Sequence, residues 1–230
     1  MSSETGIAIG SEPLSASIKR LLLDRIVNGD YGPGERIVES RLAKELEISQ
    51  SPVREALRDL AAMGMVEIES RRGARVRQPT AKELRDVSEV RSEIDALAAR
   101  LAAPRLSADA MEELRTAHSD MTACLEAKDY VGMTEADANF HRIIARESGN
   151  EAVERVFSQL EPFARTFITL TSPDVELGGI LRQHGGILDA LMAKDAGLAA
   201  ERARAHQLSV RDAFFDTSGA VEEFLNGSDH

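Results

Sequence analysis

The stretch from Glu39 to Val76 constrains the fold of this chain more than any other part of it. Ser51 immediately before Pro52 reads as an N-cap followed by a residue whose missing N–H costs nothing in the first turn of a helix, so a helix is expected to start there. Val53, Ala56, Leu57 and Leu60 then follow at i, i+3, i+4 and i+7. That spacing gives one apolar face and leaves Arg54 and Arg58, four residues apart, on an outward stripe. An arginine so placed can pair with a guanine edge or clamp a phosphate. Gly64 ends the helix, and Met65 to Glu69 and Ala74 to Arg77 read as two strands around a turn carrying Arg71, Arg72 and Gly73. Two short helices, a tight turn and a basic hairpin in that order predict a winged helix-turn-helix.

Leu42-Ala43, the run SQSPVREAL from Ser49 to Leu57, Gly64 and Gly73 together resemble the GntR family of bacterial transcription regulators, in its FadR-like branch. The resemblance implies a double-stranded DNA operator, contacted by Ser49, Gln50, Ser51, Arg54 and Arg58 on the recognition helix and by Arg71, Arg72 and Gly73 on the wing. The family often has Arg where this chain has Gln50. Glutamine reads adenine bidentately, so the departure bears on which site is preferred.

A module of that kind occupies about a third of 230 residues, so a second domain is expected. Aromatic residues make up 4% of the chain and Trp is absent, while Ala, Leu, Glu and Arg abound, a composition that favours helix. The fold class expected is mainly α: a winged helix-turn-helix of three helices and a hairpin wing, then an all-α bundle. The single cysteine, Cys124, excludes an intrachain disulfide and reads as a packing residue. No apolar run approaches the roughly 18 residues of a membrane-spanning helix, which suits a cytoplasmic protein.

The net charge of −11 at first argues against a DNA partner, because phosphate neutralisation is the main source of affinity. Residues 12–78, however, carry 12 Lys and Arg against 11 Asp and Glu, whereas residues 79–230 carry 16 against 27. The acidity thus belongs to the second domain. A near-neutral DNA-binding domain has a weak field, and two linked half-sites on a palindromic operator would multiply its affinity, so a homodimer is expected.

Residues 1–11 are expected to be a disordered leader, 12–78 the DNA-binding domain, 79–217 the helical effector domain and 218–230 a tail. Ile18, Leu21, Leu22, Ile26 and Val27 give Leu14 to Asn28 the pattern of an amphipathic helix. Thr80 with Glu83 makes a capping box that opens the second domain. About six helices follow, punctuated at Pro104, Ala127 to Asp129, Gly149-Asn150, Ser172-Pro173 and Lys194-Asp195. The first carries a packing seam of Val87, Val90, Ile94, Leu97 and Leu101, and Pro162 is expected to kink or interrupt a later one.

Asp137 and His141 lie four apart, so carboxylate and imidazole share one helical face and form half a metal site. His184 and His206 are 22 residues apart, about 33 Å along an unbroken helix. A turn at Lys194-Asp195 would place them equidistant from it, side by side in an antiparallel hairpin. Docked on the Asp137 helix, that hairpin completes a set of three histidines and one carboxylate, suited to a divalent ion such as Zn²⁺, Mn²⁺ or Ni²⁺. The same four positions match the ligand pattern of FadR-type (FCD) domains, which are helical effector-binding bundles. The resemblance departs around His184, where Gln183 stands in place of the more usual Glu and Gly185 and Gly186 in place of bulkier residues. His118 reads as a solvated residue. Arg91 has two readings, a clamp for an organic-acid effector or an ion pair with Asp95; Arg165, between Phe163 and Phe167, is a further effector candidate.

The leading functional reading is a dimeric, metabolite-responsive repressor whose effector, a small carboxylate, binds at or near the metal. Two alternatives are a metal-responsive regulator and a metal-dependent hydrolase fused to a DNA-binding domain. The hydrolase lacks an adjacent His-Asp pair, HExxH, a P-loop and GxSxG. An enzyme is not expected.

Overall fold

The computed structural model describes residues 13–27, 29–69, 72–170 and 177–216, excluding the side chains of 27, 81, 130, 131, 164–170 and 214–216. The expected leader and tail, the break at Ser172-Pro173, Arg71 and the side chain of Arg165 lie outside the described residues. The chain divides into two compact units, Met1–Gln78 and Pro79–His230. The fold is mainly α, and the sheet found among the described residues lies in the first unit.

In the first unit, α1 (Leu14–Val27) and α2 (Glu39–Glu45) both pack on α3 (Gln50–Ala62). Ile18, Leu22 and Ile26 of α1 meet Val53, Ala56, Leu57 and Leu60 of α3 in a core that admits almost no solvent. These are the residues whose helical spacing marks them as apolar faces. Strands β2 (Val66–Glu69) and β3 (Gly73–Val76) form the expected hairpin, paired antiparallel with Ile68 opposite Ala74. A third strand, β1 (Arg36–Ile37), pairs with the other edge of β3, so the order is β1-β3-β2. Two residues are too few for any alternation to announce a strand.

The start of α3 requires a correction. Its N-cap is Ser49, in extended conformation and without a side-chain capping bond, and Ser51 lies inside the first turn. Pro52 at the third helical position still forfeits nothing, because the first four N–H groups of a helix have no partner within it.

The second unit holds α4 (Ala81–Ala102), α5 (Ala108–Ala127), α6 (Tyr130–Glu147), α7 (Glu151–Leu170), α8 (Leu177–Met192) and α9 (Ala196–Asp216). Capping residues sit at most of the expected breaks. Thr80 and Glu83 form the reciprocal box before α4. Asp129 accepts from the N–H of Gly132, Asn150 from those of Ala152 and Val153, and Asp195 from that of Leu198. Each satisfies a donor that the following helix cannot. Pro162 does not interrupt α7, which runs through it.

α4 packs along α9 and also touches α6 and α7, while α5 packs on α6 and α8. The buried core is rich in alanine, with Ala98, Ala99, Ala102, Ala117, Ala199 and Ala203 among Leu114, Phe140, Ile144, Ile187 and Leu191. Small side chains let the helices approach closely. The expected seam on α4 is displaced: Val90 is 53% exposed and Ile94 and Leu97 only half-buried, whereas Arg91, Asp95, Ala98, Ala99 and Ala102 face inward. The inward face carries two charged residues because something polar lies beneath it.

Candidate functional site

That polar interior is built by three elements. α6 presents Asp137 and His141 one turn apart, and the hairpin of α8 and α9 supplies His184 and His206. The hairpin turns where Lys194 takes a left-handed conformation (φ +55°) and the N–H of Asp195 bonds back to the carbonyl of Ala190. The rings of His184 and His206 consequently lie 4.2 Å apart between centroids, and that of His141 stacks on His206 at 5.3 Å. One nitrogen or oxygen from each of the four side chains falls within 4.8 Å of all the others.

The outward nitrogens of the three imidazoles are anchored. Nδ1 of His184 donates to the carbonyl oxygen of Ile180 at 3.0 Å, and Nδ1 of His206 to Oε1 of Gln183 at 3.0 Å. His141 turns Nδ1 toward Oδ2 of Asp95 at 3.4 Å. These assignments follow from the acceptors opposite each ring. They leave every Nε2 with its lone pair turned inward.

Nε2 of His141 and Nε2 of His184 stand 3.2 Å apart, and Oδ1 of Asp137 lies 2.9 Å from the latter and 3.9 Å from the former. Lone pairs and a carboxylate converging at such distances repel unless a cation sits among them. Metal–ligand bonds of about 2.1 Å would place adjacent donors about 3 Å apart, so the donor set fits a divalent ion in both chemistry and spacing.

Electrostatics point the same way. Burial holds His141 down at about 3, against the opposing field of Asp137. His206 is also held well below its ordinary value, by burial and then by the fields of His184 and His141. Both imidazoles are therefore neutral and able to donate lone pairs. For Asp137, burial pushes upward, but the close approach of His184 and the fields of the histidines around it outweigh burial and keep the carboxyl well below the usual carboxylate range.

Around these four lies a layer that sequence reading did not assign. Oδ2 of Asp95 accepts from Nε2 of Gln207 at 2.6 Å, besides facing His141. Gln183, which anchors His206 through its oxygen, donates its amide to Oγ of Ser209 at 2.9 Å. Burial pushes Asp95 up to about 6 despite the opposing field of Arg91. Arg91 itself is buried, with Nε 3.6 Å from Oδ2 of Asp95 and its guanidinium 5.6 Å from the centre of the Phe157 ring. That Nε makes no hydrogen bond. The ion-pair reading of Arg91 is thus realised, on the wall of the histidine site. His118 is not solvated as expected: it is half-buried, and its Nε2 is enclosed without a hydrogen-bond partner. Burial and nearby carboxylates raise the Cys124 thiol above its ordinary value, consistent with a packing role.

In the first unit, Ser49, Gln50, Ser51, Arg54 and Arg58 are all exposed along the start and outer face of α3, and Arg72 is exposed beside buried Gly73 on the wing. Gln50, Arg54, Arg72 and Gly73 share one surface depression of about 390 Å³ with Val38, Glu39 and Ser40. Gly73 has φ +94°, and a Cβ there would run into the carbonyl of Ile37. Arg54 does not project alone: it is held by Glu39, an acid that sequence reading passed over.

Residues 14–76 match the description "Bacterial regulatory proteins, gntR family", and residues 86–209 match "FCD domain". The chain belongs to the GntR family. Among its relatives, the "Probable D-xylose utilization operon transcriptional repressor" of Paenarthrobacter nicotinovorans is 31% identical over 94% of this chain and 95% of its own length. The "HTH-type transcriptional repressor RspR" of Escherichia coli K12 is 28% identical over 86% and 87%. A solved structure titled "E. coli McbR/YncC" superposes with a TM-score of 0.77 at 21% identity, over 90% of this chain and 99% of that one, and so shares the fold. This GntR-family chain is a transcription regulator with an FCD effector domain, and its relatives are DNA-binding regulators rather than enzymes. Among the described residues no helix is long and apolar enough to cross a membrane.

Proposed function

We propose that this GntR-family regulator is a repressor that binds a palindromic operator as a homodimer and is released by a small organic acid bound at a divalent metal in its FCD domain. The observation that carries the proposal is the convergence of Asp137, His141, His184 and His206, with inward lone pairs at 2.9–3.9 Å and outward nitrogens anchored. These four residues would hold Zn²⁺, Mn²⁺ or Ni²⁺. A divalent ion there supplies a Lewis-acidic attachment point for a carboxylate. Arg91 supplies a second positive group on the same wall, with an unused Nε donor. Its charge is shared with Asp95, which keeps it oriented until an anion competes. The Paenarthrobacter relative is named for a D-xylose utilization operon, so acids derived from sugars belong among the candidate effectors to be tested.

On the DNA side, Ser49, Gln50, Ser51, Arg54 and Arg58 of α3 and Arg72 and Gly73 of the wing are the proposed contacts, joined by Arg71. The exposure of Ser49, Gln50, Ser51, Arg54, Arg58 and Arg72, and the shared depression lined by Gln50, Arg54, Arg72 and Gly73, support this. An effector acts only through unequal affinity for the arrangements that do and do not fit the operator.

A thermal-shift screen of the metal-loaded protein against hydroxy-, keto-, dicarboxylic and sugar acids, repeated on His184→Ala, tests the effector reading. A stabilising acid whose effect vanishes in the variant, and which releases operator DNA, is the expected outcome. Stabilisation that survives the substitution would move the effector away from the metal. Stabilisation by no acid, with operator affinity following metal concentration, would favour the metal-responsive alternative.

A further inference from the structure

The recognition surface of a DNA-binding unit faces phosphates, so an acidic side chain within it is unfavourable unless it has work to do. Glu39 is such a residue. It opens α2 and lies in the same depression as Gln50, Arg54, Arg72 and Gly73. Its side chain is only 19% exposed, and one oxygen, Oε2, takes both Nε of Arg54 at 3.1 Å and Nη2 at 2.8 Å. Two donors of one guanidinium edge converging on a single carboxylate oxygen restrict where that guanidinium can point. The partners come from different helices, 15 residues apart, so the pair ties the aim of Arg54 to the packing of α2 on α3. At the first position of α2, Glu39 is also favoured by the helix dipole, which steadies it as an anchor.

Arginine has a long side chain with about 2 kcal/mol of rotamer freedom to lose on ordering. An arginine already held in place loses less of it on meeting DNA, and can present its remaining Nη1 edge in one orientation. We infer that Glu39 is a positioning and specificity-determining residue for operator recognition: it holds the Arg54 guanidinium across the α2–α3 interface, exchanging some attraction to DNA in general for selectivity toward one sequence. The inference rests on the reading of Arg54 as a DNA contact.

The two effects of removing Glu39 oppose each other, which makes them separable. Loss of a negative charge strengthens binding to any duplex, whereas loss of the anchor weakens binding only where Arg54 must be aimed. The test uses the full chain and two duplexes of equal length and composition, one recovered by selection from a randomised pool and one scrambled. Glu39→Gln, Glu39→Ala, Arg54→Ala and the double variant Glu39→Ala/Arg54→Ala are compared by fluorescence anisotropy, with thermal unfolding alongside. For Glu39→Gln and Glu39→Ala we expect affinity for the selected duplex to fall about 5–20-fold, within the range one base contact controls. Affinity for the scrambled duplex should stay unchanged or rise, and the double variant should bind no worse than Arg54→Ala. Equal tightening on both duplexes, with Arg54→Ala still weakening the selected one, overturns the inference and makes Glu39 a plain repelling charge. Equal weakening on both, with a lower Tm, overturns it in favour of a structural role; Glu39→Gln, nearly isosteric, decides this if the alanine variant does not fold. An Arg54→Ala variant that binds the selected duplex as well as wild type instead overturns the contact reading beneath it.

Discussion

Asp95 faces three groups with a single oxygen: Nδ1 of His141, Nε2 of Gln207 and Nε of Arg91 all approach Oδ2. In Asp95→Ala, His141 loses the acceptor that turns its Nε2 inward, and Arg91 is left buried without a counter-charge. Removing one partner of a buried pair costs about 3–5 kcal/mol, and loss of such an outer ligand contact typically costs about 10–100-fold in metal affinity. Thermal unfolding and competition with a chromogenic chelator should show both losses; a normal metal affinity would detach Asp95 from the centre. The histidines also set a direction for pH. His141 is held at about 3 and His206 well below its ordinary value, so below about 6.5 an unfolded chain gains protons on both that the folded chain refuses. Their contribution is full above that pH and is lost as pH falls. Asp95, raised to about 6, acts oppositely: its contribution is greatest below the unfolded value of about 3.9 and is lost as pH rises through 6. Two histidines outweigh one carboxyl. The chelated protein should therefore show a lower urea midpoint at pH 5 than at pH 7.5, and an equal or higher one would contradict the assignment of neutral buried rings.

Among the elements, the wing depends on one backbone position. Gly73 opens β3 with a left-handed φ, at a place where a side chain would strike β1. Gly73→Ala adds both strain, of about 1–3 kcal/mol, and that collision. It should lower the Tm and weaken DNA binding, whereas the same substitution at Gly32, where nothing lies near, should do neither. Thr80→Ala removes the capping box of α4 and should cost about 1 kcal/mol, read as a shift in denaturation midpoint. These features were legible in the sequence because their signals are local: a capping pair three residues apart, glycines at turns, apolar residues at helical spacing. The meeting of Asp137, His141, His184 and His206 was legible for a related reason, since the i, i+4 spacing of Asp137 and His141 and the symmetry of His184 and His206 about Asp195 are local signals multiplied by one hairpin. What escaped is non-local or too short. Asp95 reaches Gln207 across 112 residues, and Glu39 reaches Arg54 between two helices, contacts that no periodicity encodes. β1 is two residues long, and the inward face of α4 is made of alanines and charges that hydropathy does not rank as core.

At the scale of the molecule, the two units hold separate cores, and each proposed ligand belongs to one of them. An ion that binds only the folded centre stabilises by mass action, about 4 kcal/mol at a thousand times its dissociation constant. In calorimetry, chelation should therefore lower the transition belonging to residues 79–230, while selected duplex DNA should raise the one belonging to the helix-turn-helix unit. A single transition moved equally by both would mean that the units unfold together. Regulation adds a stricter requirement. If an organic acid at the metal weakens operator binding by some factor, operator DNA must weaken binding of that acid by the same factor, because both describe one coupling free energy. A coupling of about 1–3 kcal/mol corresponds to about 5–150-fold. Calorimetric titration of the acid into free protein and into the protein–operator complex should give affinities differing by the factor found in the DNA-release experiment. His184→Ala should abolish both changes together. Release of DNA without the reciprocal loss of acid affinity cannot arise from coupling at one effector site, and would mean that the acid displaces DNA directly or acts at a second place on the protein.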